Sequence, residues 1–155
     1  MTLNLTQKER MLLEDQQAHE QICIEKYSNY ANQAQDQQLK NLFQNYAAQE
    51  QQHLDSINQM LSGQVPSMGQ GQQQQQQSAP QATQMQGAMG NQADAALCND
   101  MLMTEKYVSN TYDTAIFEFT DSNVRQVLNH IQKEEQQHGE GIFNYMQSNG
   151  MYNPQ

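Results

Sequence analysis

Shifted by 85 positions, the sequence lies on itself without a gap. Leu12 falls on Leu97, Asp15 on Asp100, Glu20 on Glu105, Tyr27 on Tyr112 and Asp36 on Asp121. Glu50-Gln51-Gln52-His53 then falls on Glu135-Gln136-Gln137-His138, and Ile57 on Ile142. A unit of this length, repeated once, is usually a supersecondary element whose apolar face stays uncovered until its copy packs on it. The repeat therefore predicts two like halves closing on one core, a single domain over residues 1–155.

Each unit reads as two helices. Asp36 and Asp121 are placed as N-caps, short acidic residues directly ahead of apolar positions at helical spacing. After the caps come Leu39, Leu42, Phe43, Tyr46, Ile57 and Leu61 in the first unit. In the second come Val124, Val127, Leu128, Ile131, Ile142, Tyr145 and Met146. Ahead of the caps run Leu13, Ile24, Tyr27, Ala31 and Ala34, and in the second unit Cys98, Leu102, Tyr112, Ile116 and Phe119. Steps of three and four are the signature of a bundle helix with one buried stripe. Very short turns at the caps force each pair to be antiparallel. The predicted organisation is a helical hairpin over 12–61, a connector over 62–93, a second hairpin over 94–147 and a tail over 148–155.

The connector holds six consecutive glutamines, Gln72–Gln77, and two of the three prolines. With no periodic apolar face it cannot offset its ordering entropy, and it is predicted to be disordered. Helix two would be about 39 Å long at 1.5 Å per residue. A flexible chain of this length spans roughly 30 Å on average and stretches further, enough to carry helix three to the opposite end. One long crossover between two short-looped hairpins is the ferritin-like connection. The expected fold is an all-α, ferritin-like four-helix bundle.

Polar residues interrupt the apolar stripes. Helix one reads Leu13, Gln17, Glu20, Ile24, Tyr27, and helix two reads Phe43, Tyr46, Glu50, His53, Ile57. Helix three reads Cys98, Leu102, Glu105, Ser109, Tyr112, and helix four reads Leu128, Ile131, Glu135, His138, Ile142. Folding each hairpin about its turn brings Glu20 beside Glu50 and Glu105 beside Glu135. Glu25 is rejected because it would lie opposite Tyr46 and its repeat partner is Asn110. Burying unpaired carboxylates costs several kcal/mol each, against a total stability of about 5–15 kcal/mol. Two divalent cations would neutralise the four charges, and two imidazoles would complete the shells. One Glu from each of two helices plus Glu-x-x-His from each of the others is the ligand set of di-metal carboxylate bundles. The metal residues so proposed are Glu20, Glu50, His53, Glu105, Glu135 and His138. Glu50 and Glu135 would bridge, Glu20 and His53 would complete one position, and Glu105 and His138 the other. Oxygen and imidazole donors suit Fe or Mn first and Zn next. The alternative is a metal-free polar layer in which raised pKa values keep some of these carboxyls protonated.

The remaining polar residues have plainer expectations. His19 and His130 are placed at the surface, and Glu9, Glu14, Glu25, Glu134 and Glu140 on solvated faces. Tyr27 and Tyr112, two turns from the acidic layer, read as core aromatics rather than redox relays. Cys23 and Cys98 form no C-x-x-C pair and read as buried or half-buried free thiols. A net charge of −10 disfavours nucleic acid and anionic membrane surfaces. The first ten residues lack the apolar run of a signal peptide, and no stretch is apolar enough to span a membrane. Synthesis and folding are expected in the cytoplasm.

The second unit resembles the spore coat protein F family of endospore-forming bacteria. The resemblance is carried by Asp100, Leu102, Glu105-Lys106, Tyr112-Asp113 and Val124-Arg125. It continues through Glu134-Glu135-Gln136-Gln137-His138, Ile142-Phe143-Asn144-Tyr145-Met146 and the tail Asn149-Gly150-Met151-Tyr152. It covers roughly residues 95–153, and residues 12–61 join only through the repeat. Met151 stands where members commonly have Trp. The resemblance implies a small ferritin-like helical protein of the spore coat, with other coat proteins as partners. Association between copies of the chain stays open. Two functions follow as expectations: a structural or interaction protein of the coat, or a di-iron or di-manganese oxidase, peroxide-destroying enzyme or metal store.

Overall fold

The computed structural model describes residues 2–67 and 91–152. Four helices account for most of them: α1 Gln7–Gln33, α2 Gln37–Leu61, α3 Asn91–Glu118 and α4 Ser122–Ser148. α1 packs on α2 and α3 on α4 as antiparallel hairpins, joined at residues 34–36 and 119–121. Between the hairpins, α1 lies closer to α3 than α2 does to α4. Helix α3 starts three residues ahead of its expected boundary, and the segment that follows α2 is held in place through residue 65. Residues 68–90 of the expected connector lie outside the described residues.

Local chemistry explains the ends of these helices. Thr6 and Glu9 form a reciprocal capping box at the start of α1, which satisfies two otherwise unpaired backbone N–H groups. Helices α2 and α4 both finish on a glycine in the left-handed region, Gly63 at φ 92° and Gly150 at φ 68°. There Gln64 N–H donates to the Gln59 carbonyl, and Met151 N–H donates to the Met146 carbonyl. This six-to-one bond defines a Schellman end, and only glycine adopts the left-handed step at no cost. The N-terminal segment is tied to the first of these ends. Leu3 N–H donates to the Gly63 carbonyl at 2.7 Å, and Thr2 bridges to Gln64.

The start of α3 is pinned at the opposite end of the bundle from the finish of α2. Asp94 is fully buried, and its two carboxylate oxygens accept Gln35 N–H at 2.9 Å and Asp36 N–H at 3.0 Å. Its repeat partner Glu9 makes the reciprocal link, accepting Thr120 N–H at 3.3 Å. Glu9 is therefore buried, not on a solvated face as expected. The signal for it was the Thr6-x-x-Glu9 box. The two latches set α3 antiparallel to α1, so the order is up-down-down-up with one long crossover.

The core has three storeys. One apolar cluster, including Leu13, Ile57, Met60, Phe119, Val124 and Leu128, fills the end where α1 begins. Another, including Ala31, Leu39, Phe43, Cys98, Ile142 and Met146, fills the opposite end. Cys23 and Cys98 are buried free thiols, as expected. In α1 the buried seam is Glu9, Leu13, Gln16, Glu20, Cys23, Tyr27 and Ala31. Gln17 and Ile24, expected on that stripe, are only partly buried. In α3 likewise Met101, Val108 and Ala115 are buried, while Leu102, Ser109 and Ile116 lie one position off the seam. Stepping three then four onward from Glu20 fits the bundle axis as well as stepping four then three, and the packing of α1 on α3 selects the former.

Candidate metal centre

Between the two apolar clusters lies the polar storey. Glu20, Glu50, His53, Glu105, Glu135 and His138 are each at most 2% exposed. All six expected residues therefore converge in one buried layer, one Glu from each helix and one His from each of α2 and α4. Glu25 is exposed, in line with its rejection.

Both imidazoles turn Nδ1 inward. His53 Nδ1 lies 2.7 Å from Glu135 Oε1, 3.3 Å from Glu50 Oε2 and 3.7 Å from Glu20 Oε2. His138 Nδ1 lies 2.8 Å from Glu50 Oε1 and 3.2 Å from Glu105 Oε1. The two rings stack across the layer, with centroids 5.9 Å apart. Two sets of four donor atoms result, each with all members within 4.8 Å of one another. The first is Glu20, Glu50, His53 and Glu135, and the second is Glu50, Glu105, Glu135 and His138. Glu50 and Glu135 belong to both.

Tyr27 and Tyr112 are fully buried core aromatics, and their hydroxyls also complete the layer. Tyr27 donates to Glu105, and Tyr112 donates to Glu20. The exchange is crosswise because α1 and α3 run antiparallel, so each ring reaches the carboxylate of the other helix. The signal for it, a Glu followed seven residues later by Tyr, occurs in both units.

Four further residues stand behind the ligands and were missed by sequence reasoning. Gln49 Oε1 lies 2.5 Å from His138 Nε2. Glu134, expected on a solvated face, has a side chain only 12% exposed and lies 3.6 Å from His53 Nε2. His130, half out in solvent as expected, holds the same Glu134 oxygen at 2.6 Å. Tyr46 stacks on His138 with centroids 4.2 Å apart. A side chain at Gly141 would collide with the Tyr46 hydroxyl, so this glycine is the room that the stacked ring needs. His19, expected at the surface, is half-buried against the Tyr107 ring edge, Gln16 and Thr111. Glu14 and Glu140 are exposed, as expected.

The electrostatics split the carboxyls into two kinds. Burial, and then the charges of Glu20 and Glu105, push Glu50 well above the usual carboxylate range. Burial, and then Glu50, Glu105 and Glu20, do the same to Glu135. Burial also works against ionised Glu20 and Glu105. Yet hydrogen bonds from a neighbouring carboxyl, a histidine and a tyrosine outweigh it and bring both below that range. Burial would depress His53, but its four carboxylate neighbours, Glu134 foremost, raise it well above 6.5. With no cation, the two shared carboxyls are thus the ones that hold protons.

Protonation leaves the layer incompletely satisfied. Glu20 Oε2, Glu105 Oε2 and both oxygens of Glu135 are buried and lack a well-aligned hydrogen-bond donor, although His53 Nδ1 lies 2.7 Å from Glu135 Oε1. Buried acceptors are rarely left this way, and carboxylate oxygens are the donors that a hard or borderline divalent cation takes.

The molecule is thus a four-helix bundle of two hairpins with a carboxylate–imidazole layer across its middle. The sequence pattern defining the Coat F domain matches residues 93–155. That span runs from the start of α3 to the C-terminal tail, so the second hairpin is similar to the Coat F domain of the spore coat protein F family. This relation points to association with the spore coat. Searches of curated proteins and of solved structures return no match. Among the described residues no helix is long and apolar enough to cross a membrane.

Proposed function

We propose that this chain is a spore coat-associated protein whose ferritin-like bundle binds a pair of divalent transition-metal ions. Glu20 and His53 complete one position, Glu105 and His138 the other, and Glu50 and Glu135 serve both. The observation that carries this reading is the pair of buried four-donor sets, each with its ligand atoms within 4.8 Å of one another and both including Glu50 and Glu135. Fe or Mn suits these donors first, Zn next. Coat proteins are the expected partners through the Coat F hairpin.

Elemental analysis of the full chain, followed by melting with and without a chelator, tests this reading. About two equivalents of metal and a lower Tm after chelation are expected. A chain that takes up no Fe, Mn or Zn, and whose Tm ignores all three, would overturn it. A second reading has support in the sharing of Glu50 and Glu135, which favours a close pair over two separate ions. A close Fe or Mn pair supplies redox chemistry toward oxygen or peroxide, which would make the protein a protective oxidase, peroxide-destroying enzyme or metal store of the coat. Peroxide consumption that disappears in Glu50→Gln would establish that reading. No consumption by the fully loaded chain would leave a structural metalloprotein.

A further inference from the structure

We propose that the two metal positions are unequal, and that the Glu20–His53 position fills first and binds more tightly. The cause is the residue behind each histidine: Glu134 behind His53, but neutral Gln49 behind His138. The inference rests on the two-cation reading above and concerns the order of filling.

Positions 49 and 134 correspond in the repeat. Each directly precedes the shared glutamate of its helix, and each reaches across to the histidine of the other hairpin. Gln49 meets His138 Nε2 with an amide oxygen at 2.5 Å. Glu134 places a carboxylate oxygen 3.6 Å from His53 Nε2, a buried nitrogen that has no hydrogen bond of its own. His130, one turn earlier on α4, holds that carboxylate in place.

When a cation sits on Nδ1, positive charge spreads over the imidazole and Nε2–H becomes a stronger donor. A carboxylate behind the ring stabilises that charge and raises the basicity of the ligand, whereas an amide oxygen only accepts the bond. The ligands of the two positions are matched in kind. Each has one glutamate of its own, the same two shared glutamates, and a tyrosine hydroxyl on its own glutamate. One other difference is Tyr46, stacked on His138, whose repeat counterpart is Ile131. That ring packs the histidine but brings no charge.

The test is titration of the metal-free full chain with Co(II), followed by visible absorption, and with Zn(II), followed by imidazole nitrogen shifts. Two steps separated about tenfold or more are expected, with the first equivalent of Zn(II) moving His53 before His138. Glu134→Gln, nearly isosteric and close to the surface, should weaken the first step by about tenfold and merge it with the second. Gln49→Glu should instead tighten the second step, a gain that a purely structural role for this position would not produce. Two equal steps in the unaltered chain would overturn the inference while leaving the two-cation reading intact. So would a separation that survives Glu134→Gln, or His138 responding first. Absence of any binding would overturn both.

Discussion

Asp36 and Asp121 hold the same place in the two hairpins but bond differently. The Asp121 carboxylate caps α4, accepting Asn123 N–H at 2.8 Å and Val124 N–H at 3.3 Å. Asp36 makes no such bond to α2. Its carboxylate accepts the Tyr145 hydroxyl at 2.7 Å, reaching across to the second hairpin. The same divergence appears at Gln49 and Glu134, and at Tyr46 and Ile131. The six residues of the central layer keep the same residue types in both hairpins. Those six converge on one small volume, where a change at any position is felt by the other five. Residues further out answer only to their own neighbours, and the two hairpins offer them different neighbours.

The largest test of this contrast is within the layer. Glu50→Ala or Glu135→Ala removes a carboxylate common to both donor sets and should cost both ions, whereas Glu20→Ala or Glu105→Ala should cost one. The metal-to-protein ratio after gel filtration measures it, and equal losses from all four variants would contradict shared ligation. The converse holds for the metal-free chain. Glu50→Leu combined with Glu135→Leu should raise its unfolding free energy by about 1–4 kcal/mol, because well-packed apolar groups replace buried ionisable ones.

Next in size is the response to pH. Without metal, Glu50 and Glu135 sit above their ordinary 4.5 and His53 above its ordinary 6.5. From pH 4.5 upward for the glutamates, and 6.5 upward for the histidine, the folded chain holds more protons than the unfolded chain. Stability therefore falls as pH rises through those windows. Glu20 and Glu105, shifted downward, act in the opposite sense and only below 4.5. The chelated protein should lose Tm between about pH 6 and about pH 8, while the metal-loaded protein should not, since cations displace the same protons. Parallel Tm–pH curves for the two forms would contradict this.

Smaller effects belong to the latches between hairpins. Asp94→Ala frees two backbone N–H groups and should cost about 1–3 kcal/mol in chemical denaturation. Glu9→Ala, with two longer bonds from Thr120 in the opposite loop and its share of a capping box, should cost about 1 kcal/mol. Smallest are the caps. Asp121→Ala should cost about 1 kcal/mol. Asp36→Ala should cost less, and its effect should vanish in a Tyr145→Phe background. A double-mutant cycle reads that coupling directly.

Much of this could be seen before any coordinates. The repeat, the four helices and the six layer residues follow from spacing, because within one helix residues three and four apart share a face whatever lies around it. Tertiary structure decided the rest. Gln16 rather than Gln17, Cys23 rather than Ile24, and Met101 rather than Leu102 face inward because of where the neighbouring helix lies. Either of two adjacent positions satisfies the local period, so the sequence cannot choose between them. The crosswise bonds from Tyr27 and Tyr112, the burial of Glu9 and Asp94, and the places of Gln49 and Glu134 behind the histidines all link residues far apart in the chain. They depend on α1 and α3 running antiparallel and on each hairpin reaching into the other, relations that exist only once the two hairpins have packed.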